Sequence, residues 1–131
     1  MANKMYPLAR RDFSRALINW GSDNIRVAAV DASYVYSAAH QFVTDLGAHI
    51  IARSGNLSSK TDTAGALNSA SASFPLLTGA TVQYLVVFQW TGVDATSRLL
   101  YYVDTASVLP TVPTGIDVTA QPDPTTGWMQ I

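Results

Sequence analysis

The fold turns on the stretch VQYLVVFQW-TGVDATS-RLLYYVD, residues 82–104. Two runs rich in Val, Leu, Tyr and Phe flank a segment holding Gly92 and Asp94, the pattern of a β-hairpin. Successive side chains of a strand point to opposite faces, so each run can be read face by face. In the first run Val82, Tyr84, Val86, Phe88 and Trp90 make one wholly apolar or aromatic face, assigned to the core. The other face has Gln83 and Gln89 towards its ends and Leu85 and Val87 between them. In the second run Leu99, Tyr101 and Val103 share a face, and Arg98, Leu100, Tyr102 and Asp104 share the other. A sheet with one wet face alternates more cleanly than this. Leu85, Val87, Leu100 and Tyr102 then form an apolar island that needs a lid, and they are the candidate interface residues. A helix from the start of the chain or a neighbouring subunit can supply that lid.

Outward from the hairpin, the elements are short. Pro7 suits a first helical turn. Ala9, Phe13, Ala16 and Leu17 then recur at helical spacing, which predicts an amphipathic helix over 8–17. IRVAAVD (25–31) reads as a strand. Ser37 is a candidate N-cap for a second helix over 37–46, with Ala38, Ala39, Phe42, Val43 and Leu46 on one stripe and Gly47 as its stop. AHIIAR (48–53) is a further strand. Residues 54–73 are polar, and thin strands are favoured there over twenty structureless residues. IDVTA (116–120) alternates cleanly, 121–127 is turn-rich, and Trp128–Ile131 makes a last strand. The sum is a mainly β chain: a single domain over 1–131, an antiparallel, jelly-roll-like β-sandwich with one or two short N-terminal helices and an N-terminal arm over 1–20.

Composition narrows the function classes. Charged residues are 13% of the chain, about half the usual share. The net charge of −1 draws in neither nucleic acid nor an anionic membrane, so neither is an expected partner. The basic group Arg10, Arg11 and Arg15 is interrupted by Asp12 and reads as a solvated helix face. There is no cysteine, so disulfides and thiolate metal sites are excluded. No apolar run approaches the ~18 residues of a membrane span. The start lacks the apolar core of a signal peptide, which gives the expectation of assembly in a cytoplasm.

Catalytic material is sparse. His40 and His49 are the two histidines. They read as an exposed helix residue and an edge-strand residue. A two-histidine metal site with Asp31 or Asp45 can be drawn, but the ligand spacing does not support it. There is no glutamate, and the aspartates sit mostly beside turns, where they satisfy backbone amides. No cofactor and no enzymatic activity are expected. Of thirteen aromatic residues, Tyr34, Tyr36 and Trp128 are the candidates for exposed contacts such as sugar stacking, with Trp90 assigned to the core.

Ile18-x-Trp20, Asp23-x-Ile25-x-Val27-x-x-Val30-Asp31, Tyr34 and His40-Gln41-Phe42-x-x-Asp45-Leu46 together resemble the start of a group of small virion structural proteins of tailed bacteriophages. Gly79-Ala80-Thr81-Val82, Ala95 to Leu99, Tyr102 to Thr105 and the segment from Leu109-Pro110 to Gly115 are similar as well. The resemblance runs over most of the chain and rests on strand ends and turns. It implies a non-enzymatic part of a virion. The expected role is a capsid decoration, or cement, protein that stabilises the head as a homo-oligomer bound to the major capsid protein. A tail, collar or fibre module that touches host glycans is the alternative. No site residues come with it.

Overall fold

A computed structural model describes residues 3–104, 109–122 and 127–130. The chain is mainly β, built on a five-stranded antiparallel sheet. In chain order the elements are β1 (Lys4–Met5), α1 (Pro7–Ser14), β2 (Ile25–Asp31), β3 (Ile50–Arg53), β4 (Ala66–Leu67), β5 (Ala72–Phe74), β6 (Val82–Gln89), β7 (Leu99–Val103), β8 (Val118–Ala120) and β9 (Met129–Gln130). The sheet order is β1-β7-β6-β2-β3, and two ribbons, β4-β9 and β5-β8, stand apart from it. The turn expected at 121–127 and the end of the last strand at Ile131 lie partly outside the described residues.

The central strands form where β-branched and aromatic residues concentrate. Strand β2 covers all of IRVAAVD. Residues opposite each other on neighbouring strands share a face. The pairs Val30↔Tyr84, Ala28↔Val86 and Val86↔Tyr102 therefore define one face, and Ala29↔Leu85, Val27↔Val87, Leu85↔Val103 and Val87↔Tyr101 the other. This corrects the expected island. Leu85 and Val87 lie on one face, while Tyr102 lies on the opposite face with Tyr84 and Val86. The register shift between β6 and β7 at Val87/Phe88 is the cause, because one inserted residue reverses the parity of every residue beyond it, and the shift between β2 and β6 at Val30/Asp31 does the same at Val82. Val82 likewise lines the same gap as Leu85 instead of joining Tyr84.

Both faces are covered by the chain itself. On the Tyr84 face the segment 32–49 lies across the sheet, with the Tyr34 ring 6.4 Å from Tyr84 and 6.1 Å from Tyr102. On the Leu85 face the cover comes from β5, β8 and residues 109–111. Phe74, Leu77, Leu109, Val118 and Ala120 meet Ala29 and Leu85 around a gap of about 10 Å³, room for at most one water. Leu85, Val87, Leu100 and Tyr102 are 2%, 0%, 0% and 3% exposed, so none of them is a surface for a neighbour. Each side chain buried this fully contributes about 1.5–3 kcal/mol, so closing both faces within one chain is strongly favoured over leaving either wet. The β4-β9 ribbon closes by a close approach at Gly127, whose φ is 70 and where any side chain would collide with the Leu67 backbone.

The predicted helices are shortened. The first ends at Ser14, followed by a cap in which Ala16 N–H bonds Phe13 O (3.1 Å) and Leu17 N–H bonds Asp12 O (2.9 Å). Ala16 takes φ 58 there, and Ala16 and Leu17 are exposed instead of joining the apolar stripe. The second predicted helix does not form over 37–46. Phe42 is extended and bridges Arg98, and 3₁₀ turns come next over Val43–His49, broken at Gly47. Asp45 stabilises the entry, accepting from the N–H groups of Gln41 (2.7 Å) and Phe42 (3.0 Å).

Candidate functional site

Five of the six tyrosines gather on the Tyr84 face. Tyr6 and Tyr36 have ring centroids 5.1 Å apart, Tyr36 and Tyr102 5.1 Å, and Tyr84 and Tyr102 5.2 Å. Lys4 places its ammonium 4.8 Å from the Tyr36 ring centre, a cation–π contact. Tyr34 is the hub. Its hydroxyl is 2.7 Å from the Tyr6 hydroxyl and 2.8 Å from His40 Nδ1. A chain of hydrogen bonds thus runs from the fully buried Tyr6 to the half-buried His40. Burial raises the Tyr34 pKa to about 12 despite the opposing bond from Tyr6, and burial first of all raises Tyr6 further. Both hydroxyls stay protonated across the physiological range, which suits a structural relay and not a base.

Beside this hub, Ser33, His49 and Asp31 meet. His49 Nδ1 is 3.0 Å from Ser33 Oγ and 3.0 Å from Asp31 Oδ1, and Ser33 Oγ donates to the same Asp31 oxygen at 2.8 Å. The residue types are those of a nucleophile, base and orienting acid, but the geometry is not. A relay needs one imidazole nitrogen on the nucleophile and the other on the acid, whereas here a single nitrogen faces both. Burial pushes the Asp31 pKa up, but the bonds from Ser33 and His49 outweigh it and hold the carboxyl below its usual range. The three residues close the turn after β2. Among the described residues no group of three or more His, Cys, Asp or Glu is placed to hold a metal ion.

At the far end of the same face Trp90 sits between Arg26 (5.0 Å) and Arg53 (5.5 Å), and Arg53 also grips Asp94 bidentately at 2.7 and 2.8 Å. That grip holds Asp94 below the ordinary carboxylate range. Within the basic group at 10–15, Asp12 proves to be 0% exposed. It lies 3.4 Å from Arg98 Nε and 3.7 Å from Arg11, with Gln41 Nε2 also at 3.4 Å. The helix face expected to be solvated therefore carries a buried charge pair. The residue pattern hid this because Asp12 and Arg98 come together only through the tertiary fold.

The expected exposed aromatics are corrected in two of three cases. Tyr34 (3%) and Trp128 (6%) are buried, Trp128 donating its indole N–H to Ser69 Oγ at 2.7 Å, and only Tyr36 is half-exposed. The histidines are also placed differently. His40 serves Tyr34 instead of standing on an exposed helix, and His49 ends a 3₁₀ turn before β3. Large apolar side chains do reach solvent elsewhere, at Val35 (78%), Leu76 (71%), Val112 (70%) and Ile116 (64%). Leu76 and Ile116 belong to adjoining turns, tied by Leu77 N–H to Ile116 O at 2.9 Å. Among the described residues no helix is long and apolar enough to cross a membrane. No protein-family model and no curated protein matches the chain.

Proposed function

We propose that the chain is a non-enzymatic structural protein of a bacteriophage virion, working as a capsid decoration protein in a homo-oligomer on the major capsid protein. The observation that carries this reading is the surface. Large apolar side chains stand out on turns of a molecule with few charges, while polar side chains such as Tyr34, Ser33 and Asp31 are engaged in internal bonding. Such a surface suits many weak neutral contacts with neighbours, multiplied by symmetry. In this reading the two ribbons act as the second layer of a β-sandwich over the Leu85 face. The resemblance at 18–46 and 79–115 points to the virion. The test is co-sedimentation of the purified chain with phage heads stripped of it. Saturable binding to heads supports the reading. Binding to tails alone moves the chain to the tail assembly, and binding to neither particle part sinks the proposal.

A further inference from the structure

The net charge of −1 hides an uneven distribution. Residues 1–17 carry four cations, Lys4, Arg10, Arg11 and Arg15, against one aspartate, while the remaining residues carry four cations against eight aspartates. In sequence, Asp12 interrupts the arginines. In the fold it turns inward: it is 0% exposed, and its carboxylate lies against Arg98 (3.4 Å) and Arg11 (3.7 Å). Arg10 and Arg15 stay exposed, and among the described residues no carboxylate is within ion-pair distance of Lys4, Arg10 or Arg15. Two of these cations meet a half-exposed ring. Lys4 and Tyr102 are cross-strand partners, so the Lys4 side chain rises on the tyrosine face, and its ammonium stands 4.8 Å from the Tyr36 ring centre. Arg10 acts on the same residue from the helix: burial raises the Tyr36 pKa, and the Arg10 charge opposes that rise. Beside it in the chain, Val35 is 78% exposed. Asp45 and Asp104 act on the neighbouring hydroxyls of Tyr34 and Tyr102, and neither forms an ion pair with Lys4 or Arg10.

We propose that the surface formed by Lys4, Arg10, Val35 and Tyr36 is a docking site for an acidic segment of a neighbouring virion protein. This rests on the virion reading above and deepens it by naming a face that meets the neighbour. Lys4 and Arg10 hold a carboxylate side chain of the segment, and an apolar residue beside that carboxylate covers Val35. Tyrosine and arginine are the residue types that carry much of the binding energy at protein interfaces. Here both are already positioned: Tyr36 by its ring contacts with Tyr6 and Tyr102 (5.1 Å each), and Arg10 by its backbone bond to Tyr6 O (3.2 Å). Groups fixed before binding lose less freedom on binding. A nucleic acid is a poorer fit. An extended polyanion must also pass the acid-rich remainder of the molecule, and a phosphate backbone offers nothing apolar to Val35.

The probes are a labelled short peptide of glutamates around one leucine, its glutamine counterpart, a duplex DNA oligonucleotide and the stripped phage heads. By fluorescence anisotropy the full chain should bind the glutamate peptide and not the glutamine one, and added salt should weaken the binding. Lys4→Glu combined with Arg10→Glu, checked for an unchanged melting curve, should weaken binding to both peptide and heads about tenfold. If that double variant melts early, Arg10→Ser alone, at an exposed position, carries the test. Arg26→Ser, which removes a cation at the far end of the face, should leave both bindings unchanged. Heads bound equally by wild type and the double variant overturn the docking site and leave the virion reading standing. A wild-type chain that ignores heads but prefers the glutamate peptide, and loses that preference in the double variant, removes the virion reading and leaves the acid-binding surface. Binding of neither peptide nor heads overturns both, and duplex DNA bound more tightly than the glutamate peptide overturns the choice of a protein as occupant.

Discussion

The β7 edge and the β3 edge belong to one sheet, yet β7 is flanked by β1, by Tyr6 and by the backbone of Gln41, while β3 pairs with β2 alone among the described residues. At the β7 edge a two-residue strand and a two-turn helix are held by side chains that reach inward: Tyr6 to Tyr34, and Asp12 to Arg98. Lys4 and Pro7 sit on its outside, residue types that discourage further pairing. At the β3 edge the side chains pack on the molecule's own faces, and among the described residues no strand other than β2 pairs with the backbone. Edge protection here is therefore made by tertiary anchoring. The paired backbone of β1 is too short to hold without it.

Breaking the anchored edge gives the largest expected effect. Deleting residues 1–17 removes the cover from β7 and takes the Tyr6 partner from the Tyr34 hydroxyl, leaving it only His40. The truncated chain should lose its cooperative thermal transition and scatter light. A soluble monomer with an unchanged melting curve would show that the arm protects nothing. Next comes Asp12→Ala. It leaves the Arg98 guanidinium partly buried without its carboxylate, with an expected loss of about 2 kcal/mol, below the ~3–5 of a wholly buried pair because the Arg98 side chain keeps 20% exposure. Tyr34→Phe deletes one hydroxyl and leaves Tyr6, at 0% exposure, without that partner; about 1–2 kcal/mol should be lost in urea denaturation. If that variant melts like the wild type, the hub does not pin the arm.

Smaller effects probe the same contrast. Ala16 holds a left-handed conformation at the end of α1, where glycine is at ease, so Ala16→Gly should stabilise the arm by about 0.5–1 kcal/mol. The smallest effect sits at the β3 edge. Arg53 depresses the Asp94 pKa, so the pair's contribution is fully present above the ordinary carboxylate value near ~4 and is lost as pH falls through the lower folded value. Denaturation midpoints of wild type and Asp94→Asn should differ slightly at pH 7 and converge once the pH falls below the lowered folded value. Asp94's side chain is 40% exposed, so solvent screens the pair and the difference stays small.

Much of the hairpin was legible from side-chain types alone. β2 has the expected bounds, and β6 and β7 fall within a residue of them, because long runs of Val, Leu, Tyr and Phe outweigh other preferences. That both strands need cover on two faces was equally plain from their pattern. Which residues share a face was not, since two register shifts reset the parity between strands. The stripe of Ala38, Phe42 and Leu46 promised a helix, but backbone pairing of Phe42 with Arg98 and the Asp45 cap hold that segment extended before its 3₁₀ turns. The aromatic candidates failed for a related reason. Tyr34 and Trp128 each carry a polar atom that finds an internal partner, and exposure depends on that partner.

Residue order alone dictates a cysteine-free, low-charge, mainly β chain with a doubly apolar hairpin at its centre, because composition and alternation are local properties. What lies on each side of that hairpin is settled in three dimensions. The segment around Tyr34 covers one face, the β5-β8 ribbon and residues 109–111 cover the other, and the N-terminal arm takes an edge in place of a face. Register, bulges and long-range hydrogen bonds make those assignments, and each joins residues that the linear pattern keeps far apart.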